Sequence, residues 1–377
     1  MEASMGAERR PAPLGARIRA RLRPAGWGAG WAKASLVVMP LIVLACGVFV
    51  GLRPEHVAFG VLFLVLAWAG PRARRFSAIC APFVGVGLAY DFLRLGISLR
   101  STHIHVGDLS AAETALFGVR VADRVGADQV VSLSELVARH THPILDAITG
   151  AGYICYLVEV VLVATYLYLR GDLERAQRLA IVFAATSALG WVIWLVWPAA
   201  PPWYVDAHGT GPVVLDAAPS AAGGLRFDAL VHAPVFQNFY GRSWNIFGAM
   251  PSLHTSYAVL TAAVCWSSKR TGLRIFTVLF AADIAFGAVY LRHHYILDVL
   301  AGAALALVVT AAFAWRRSTH RTARDERAAG ARSRPGPPAQ LRDERTDRAP
   351  FGRGSSAHLQ SALPPERAAL PREEVRT

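Results

Sequence analysis

The sequence predicts an all-α membrane protein, a polytopic bundle of about eight transmembrane helices. Of its 377 residues, 54% are hydrophobic and 17% are charged, a composition typical of a chain that is solvated mostly by lipid. The apolar residues collect in runs with almost no charge, and most runs approach the roughly 20 residues that a helix needs to cross the hydrocarbon layer. The eight predicted spans cover residues 35–52, 57–70, 76–95, 150–169, 179–198, 249–267, 275–291 and 295–315.

The net charge of +13 lies mainly in two tails, which argues against a nucleic-acid partner. Residues 1–34 carry a net charge of +5, and residues 316–377 carry one of +6. The loops 71–75, 170–178 and 269–274 are also basic, and eight crossings put them on the same side as the tails. Because basic segments flanking spans stay in the cytoplasm, we expect a multi-pass protein of the cell membrane with both termini inside.

Two histidine-bearing segments open the sixth and the eighth predicted spans. The first reads Phe-Gly-Ala-Met-Pro-Ser-Leu-His254, with Pro251 suited to a first helical turn. The second reads Tyr-Leu-Arg-His-His-Tyr-Ile-Leu-Asp298 and contains His294. One inward and one outward crossing separate the two segments. We therefore expect His254 and His294 to meet at the outer, extracytoplasmic face.

His294 and Asp298 lie four positions apart, so they share one face of a helix. A carboxylate in that position can hold an imidazole in one tautomer and stabilise its charged form, which indicates an activated nucleophile. Zinc binding by His254, His293 or His294, and Asp298 is the rival interpretation. We disfavour it because no further His or Cys lies at close ligand spacing, and we expect no cofactor.

Three strings, in this order and spacing, resemble the phosphatidic acid phosphatase type 2 superfamily, and more closely its inositol phosphorylceramide synthase branch. They are Ala-Pro-Pro-Trp-Tyr204 and the two histidine-bearing segments, and the resemblance covers residues 150–312. It implies a metal-independent reaction through a phosphohistidine intermediate. Within it, His294 would be the nucleophile, Asp298 its orienting carboxylate and His254 the general acid for the leaving alcohol.

The resemblance also implies a six-helix catalytic core, which divides the chain into four parts. Residues 1–34 would be a basic cytoplasmic tail, residues 35–75 two additional spans and residues 76–315 the six-span core. Residues 316–377 are rich in Arg, Pro, Ala and Gly, with few large apolar side chains. Because such a composition buries too little surface to fold, we expect a disordered cytoplasmic tail.

The cations that bind phosphate in the superfamily have no clear counterparts here, and Gly287-Ala288 stands where a Ser-Arg pair is usual. Arg292 and Arg242 are the nearest replacements, because a guanidinium can hold two phosphate oxygens. Ser252 could donate a hydrogen bond or simply cap a helix. Asp91 and Arg94 could pair on one helix face. The candidate substrate-binding residues are thus Ser252, Arg292, Arg242, Asp91, Arg94 and Tyr204.

The outer loop 199–248, which contains Tyr204, is expected to cover the site. Its residues Trp203 and Trp244 are interpreted first as markers of the membrane interface. Glu159 lies inside the fourth span, where a carboxylate needs a partner, a proton or a wet cavity.

The predicted function is that of a membrane phosphotransferase. It would move a phosphoryl or phosphoalcohol group, with inositol phosphate suggested by the resemblance, from a phospholipid donor to a lipid or alcohol acceptor in the bilayer. A covalent intermediate admits water as the second acceptor, so a lipid phosphate phosphatase is one alternative. A non-catalytic lipid-binding membrane protein is the other. The details of the three strings favour transfer.

Overall fold

The computed structural model describes residues 29–100, 102–122, 128–241 and 243–332. The chain divides into two compact units, Met1–Thr322 and Ala323–Thr377. The helices are α1 Ala29–Ala45, α2 Pro54–Trp68, α3 Pro71–Leu93, α4 Gly107–Phe117, α5 Leu133–Arg139, α6 Pro143–Ile154, α7 Tyr156–Leu169, α8 Leu173–Val196, α9 Pro202–His208, α10 Gly224–Val231, α11 Val235–Tyr240, α12 Leu253–Cys265, α13 Thr271–Tyr290 and α14 Ile296–Arg332. A π-helical turn, Cys46–Val50, follows α1, and a 3₁₀ helix, Arg94–Leu99, follows α3.

The helical membrane class predicted from the sequence is confirmed. Within the described residues, five helices are long and apolar enough to cross a membrane, and α6 with α7 makes a sixth if this pair, bent by 61°, is one span. The five cover Ala29–Val50, Pro71–Gly96, Leu173–Val196, Thr271–Tyr290 and Ile296–Thr319. The remaining two predicted spans correspond to the shorter apolar helices α2 and α12. Eight crossings, a six-helix core and the four-part division of the chain therefore remain predictions.

Three local features differ from the sequence predictions. A small antiparallel hairpin, β1 Gly118–Ala122 and β2 Asp128–Ser132, interrupts the otherwise helical chain. Helix α12 begins at Leu253, so Pro251 precedes the helix rather than standing in its first turn. Helix α14 continues to Arg332, which makes residues 316–332 helical where we expect disorder. The rest of that tail, and residues 1–28 of the first tail, lie outside the described residues.

The main apolar core is shared by α3, α7, α8, α12 and α14. Phe83, Val163, Phe183, Leu260 and Val309 are among its buried members. Helices α1 and α2, which we call the N-terminal helix pair, pack against each other and against α3 rather than within this core. Most of their large apolar side chains are exposed, as is usual for surfaces that face lipid.

Candidate active site

The site lies where the first turns of α12 and α14 touch. Gly302 makes this contact possible, because a Cβ atom there would lie 2.3 Å from the carbonyl oxygen of Ser252. Across the contact, the Ser252 N–H donates to the carbonyl of Asp298 at 3.0 Å, and the Ser256 hydroxyl donates to the carbonyl of Gly302 at 2.8 Å. These contacts fix the starts of two helices that are distant along the chain in one alignment, or register, relative to each other.

This register aligns the three predicted catalytic residues. The Nε2 atom of His294 lies 3.3 Å from Nδ1 of His254, and Nδ1 of His294 lies 3.5 Å from Oδ2 of Asp298. The Asp298 carboxylate is fully buried and also accepts the backbone N–H of Tyr295 at 2.8 Å. Asp298 and His254 thus face opposite nitrogens of the His294 ring, an arrangement suited to orienting and protonating rather than to sharing one metal ion.

Aromatic side chains hold the imidazoles from both sides, which the sequence did not predict. Tyr153 stacks on the ring of His254 with centroids 4.4 Å apart, and Tyr240 stacks on His293 at the same distance. The Tyr240 hydroxyl also lies 3.0 Å from Nε2 of His254. The two ring nitrogens of His254 thus face different partners, the Tyr240 hydroxyl and the His294 ring. In the turn between α13 and α14, burial lowers the pKa of His293 to about 3.

Glu113 of α4 is a further residue of the site that the sequence did not predict. Its fully buried carboxylate accepts the backbone N–H groups of Ile296 and Leu297, at 3.1 and 3.2 Å, and so caps the start of α14. Burial raises the pKa of the Glu113 carboxyl, although these two N–H donors act in the opposite direction. The available signal is an acidic residue among the small and apolar residues of a short helix, but nothing in its spacing indicates the partner.

A cavity of about 390 Å³ opens beside the histidines and extends between the helices of the core. His254, His293 and His294 contribute to its wall. Most of the remaining wall is apolar or aromatic, with members such as Phe83, Val86, Leu157, Phe183, Trp191 and Trp194. Trp203 and Trp244, interpreted first as interface markers, also line it. A polar catalytic group at an apolar slot matches a molecule with a polar head and a hydrocarbon tail.

Three of the predicted substrate-binding residues have structural partners. Arg292 has a positive φ of 63° and donates to Asp206, with Nε 2.8 Å from Oδ2. The Tyr204 hydroxyl accepts the N–H of Val214 at 2.8 Å. Ser252 is the N-cap of α12, and its hydroxyl accepts the N–H of Thr255 at 3.3 Å. None of Arg292, Tyr204 and Ser252 is among the described residues that line the cavity, so their binding roles remain hypotheses.

The other three predicted substrate-binding residues have different outcomes. Asp91 lines the cavity, but it pairs with Arg53 and His56 rather than with Arg94. Arg94 instead donates to the backbone carbonyl of Val50. The predicted pair of Asp91 and Arg94 on one helix face is therefore wrong. Arg242 lies outside the described residues.

A separate cluster of possible metal ligands lies at the start of α4. Ligand atoms of His103, His105 and Asp108 lie within 4.8 Å of one another. His105 pairs with Asp108 and stacks on Trp197, with ring centroids 3.6 Å apart. The hydrogen bond from His105 lowers the pKa of Asp108, against the opposing effect of burial, which is the largest contribution. These contacts hold the segment next to the Ala-Pro-Pro-Trp-Tyr204 string without joining the candidate active site.

Comparison with known protein families agrees with this geometry. The PAP2 superfamily matches residues 119–312, which include both histidine-bearing segments. No solved structure matches the chain.

Three curated relatives are similar to the chain. The chain is 34% identical over 275 residues to a phosphoinositol dihydroceramide synthase from Bacteroides thetaiotaomicron, covering 72% of this chain and 88% of the relative. It is 28% identical to an inositol phosphorylceramide synthase from Candida albicans, covering 73% of this chain and 55% of that relative. It is 29% identical to the catalytic subunit of the Saccharomyces cerevisiae inositol phosphorylceramide synthase, covering 59% of this chain and 51% of the relative. The chain thus spans about half the length of these fungal relatives.

Proposed function

Because the chain belongs to the PAP2 superfamily and is a membrane phosphotransferase, we propose that it transfers inositol phosphate from a phospholipid to a ceramide-type lipid alcohol. The observation that carries the proposal is the row His254, His294 and Asp298 beside a largely apolar cavity, which His254 and His294 line. The names of the relatives indicate the inositol phosphate group and the ceramide-type acceptor.

In the first half of the reaction, Nε2 of His294 attacks the phosphorus of the donor. The Asp298 carboxylate accepts a hydrogen bond from the Nδ1–H of His294 and stabilises the positive charge that develops on the ring. The bond between phosphorus and the diacylglycerol oxygen breaks, and His254, which enters this step as the imidazolium, gives its Nδ1 proton to that oxygen and becomes neutral. The inositol phosphate is then bonded to His294, and diacylglycerol leaves.

In the second half, the same groups act in reverse. His254, now neutral, takes the proton of the ceramide hydroxyl as the hydroxyl oxygen attacks phosphorus. The bond between phosphorus and Nε2 breaks, and His294 returns to its neutral form. Because His254 lies 3.3 Å from His294 in the free protein, the two rings must separate to admit the phosphoryl group between them.

The basic loops and tails of the sequence support our proposal that both termini lie in the cytoplasm and the site at the outer leaflet. Both histidines lie near the starts of α12 and α14, with α13 between these helices, which supports a single side for the whole site. Cysteine-accessibility labelling at positions 208 and 269 in intact cells tests this orientation. Reaction at position 208 but not at position 269 is expected, and the reverse pattern contradicts it.

The test is turnover by the purified protein with phosphatidylinositol, a fluorescent ceramide and a chelator. We expect a fluorescent phosphoinositol-ceramide with the wild-type protein and no detectable product with His294→Ala. His140→Gln is the matched control, because His140 is exposed at the end of α5 and should retain wild-type activity.

Three results would count against the proposal. Release of free inositol phosphate with the ceramide unused would indicate water as the acceptor. Turnover that requires added zinc would support the metal interpretation. Undiminished product from His294→Ala would remove that residue as the nucleophile.

A further inference from the structure

The cavity wall contains an ion pair that no step of the proposed reaction uses. Arg53 lies in the turn between α1 and α2, and Asp91 lies near the end of α3. The two side chains form a salt bridge, and both line the same cavity as His254 and His294. The N-terminal helix pair therefore contributes directly to the space in which the substrate is expected to bind.

Arg53 is the one Lys or Arg among the described residues that line this cavity. Its charge is already matched on the cavity wall, because it forms a salt bridge with Asp91. A second anionic group would meet the Asp91 carboxylate as well as the guanidinium, and like charges repel. The local charge balance therefore favours an uncharged polar ligand over another phosphate.

An ion pair of this kind suits neighbouring hydroxyl groups. Each hydroxyl both donates and accepts, so one can accept from the Arg53 guanidinium while its neighbour donates to Asp91. Trp244, on the same cavity wall, supplies a further donor, because its buried indole N–H has no acceptor among the described residues. A buried donor without a partner is costly, and a ligand hydroxyl would remove that cost.

The adjacent rings give this part of the cavity an aromatic wall. Tyr90 precedes Asp91 in α3, and its ring lies 5.3 Å from that of Trp244 and 6.3 Å from that of Trp191. Aromatic faces pack well against the C–H groups of a ring-shaped molecule while polar side chains reach its edge.

Resting on the proposed function, we propose that Arg53, Asp91 and Trp244 form a subsite for the polyhydroxy headgroup of the lipid donor. The N-terminal helix pair is then a part of the substrate site that selects the headgroup. This assignment explains why Asp91 pairs with Arg53 and not with Arg94, since only the former pair lines the cavity.

The test compares the binding of two soluble lipids to the purified full-length protein. Dioctanoyl phosphatidylinositol carries the polyol, whereas dioctanoyl phosphatidic acid has the same tails and a phosphate without the polyol. Thermal stabilisation measured across lipid concentrations gives an apparent Kd for each. For Arg53→Gln and Trp244→Phe we expect about 10-fold weaker binding of phosphatidylinositol, the size of a lost hydrogen bond to a hydroxyl, and less than 2-fold change for phosphatidic acid.

Glu55→Gln is the matched control, because Glu55 also pairs with Arg53 but does not line the cavity among the described residues. It should change neither Kd by more than about 2-fold. If Arg53→Gln unfolds, Arg53→Lys keeps the charge and loses the two-pronged donor geometry, and it should still weaken phosphatidylinositol binding selectively.

The remaining outcomes separate the two proposals. Equal weakening of both lipids, or a larger loss for phosphatidic acid, would make Arg53 an anion or packing residue and overturn the polyol subsite. Wild-type protein that binds phosphatidic acid but not phosphatidylinositol would overturn the subsite and leave phospholipid binding intact. Wild-type protein that binds neither lipid would overturn the proposed function as well.

Discussion

The candidate active site, at the starts of α12 and α14, and the N-terminal helix pair are stabilised by different kinds of contact. At the former, imidazoles, carboxylates and hydroxyls are buried and linked by hydrogen bonds across segments far apart in sequence. In the helix pair, large apolar side chains such as Leu41 and Val61 are exposed, and a few polar contacts attach it to α3. In the first region, buried polar groups must be hydrogen-bonded, and these bonds fix the positions of the side chains. The second region is stabilised mainly because its exposed apolar side chains are solvated by lipid.

Among the variants that test this comparison, a change at Asp298 should have the largest effect on turnover. Asp298→Asn keeps the size of the side chain but removes the charge that orients His294 and stabilises its protonated form. We expect turnover to fall about 10³- to 10⁴-fold, as for the carboxylate of a catalytic triad, with protein yield unchanged. The exposed residue Asp216 provides the control Asp216→Asn, which should stay within about 2-fold of wild type. An equally active Asp298→Asn would mean that His294 needs no carboxylate.

Glu113→Gln should have the next largest effect, because the variant weakens the cap that holds the start of α14. We expect kcat to fall roughly 10- to 100-fold with little change in KM, the cost of a weakened buried contact to two N–H groups.

A pH profile separates this positioning role from simple destabilisation. Burial raises the pKa of the Glu113 carboxyl, so in the wild type the cap loses its charge as the pH falls through that raised pKa, and the loss contributes to the acidic limb of kcat. Gln cannot titrate, so the acidic limb of Glu113→Gln should move to lower pH. Glu135→Gln, at a half-exposed residue of α5, should leave the limb in place, and an unmoved limb in Glu113→Gln would limit Glu113 to stability.

The smallest expected effects concern the apolar side chains of the two regions. Leu260 is fully buried in the core, whereas Leu44 of the N-terminal helix pair is 62% exposed. Leu260→Ala should lower the free energy of unfolding by roughly 2 kcal/mol, near the low end of the range for buried leucines, because lipid is itself apolar and chiefly packing contacts are lost. Leu44→Ala should cost less than about 0.5 kcal/mol. Reversible unfolding in mixed micelles measures both, and equal costs would show that the pair is packed like the core.

Much of the candidate site could be predicted because its motifs are local. The four-residue spacing of His294 and Asp298, and the two predicted crossings between His254 and His294, follow from the sequence order alone. The prediction that His294 and Asp298 share one helix face is nevertheless wrong, because α14 begins at Ile296 and His294 precedes it. The residues around them could not be predicted in the same way. Glu113 reaches Ile296 from an element 183 positions earlier, and Tyr240 reaches His254 from the end of a short helix in the loop 199–248. Their spacing carries no signal of either contact.

The arginines considered for phosphate binding also show what sequence proximity cannot predict. Arg292 is next to the histidines in sequence, which predicts a role in phosphate binding, yet its guanidinium donates to Asp206. Arg53, far from every motif, lines the cavity. Proximity along the chain predicts which side chains lie together when the backbone is helical. It predicts this poorly in a loop, because the backbone there can turn a side chain in any direction.

The sequence by itself determined that this is a helical membrane protein of the PAP2 superfamily, because the length of apolar runs and the short motifs are both read residue by residue. Only the tertiary structure decided which side chains surround the imidazoles, which arginine lines the cavity and how α4 caps α14. Those contacts depend on how helices cross and on one close approach at Gly302, where the absence of a Cβ atom lets two backbones touch.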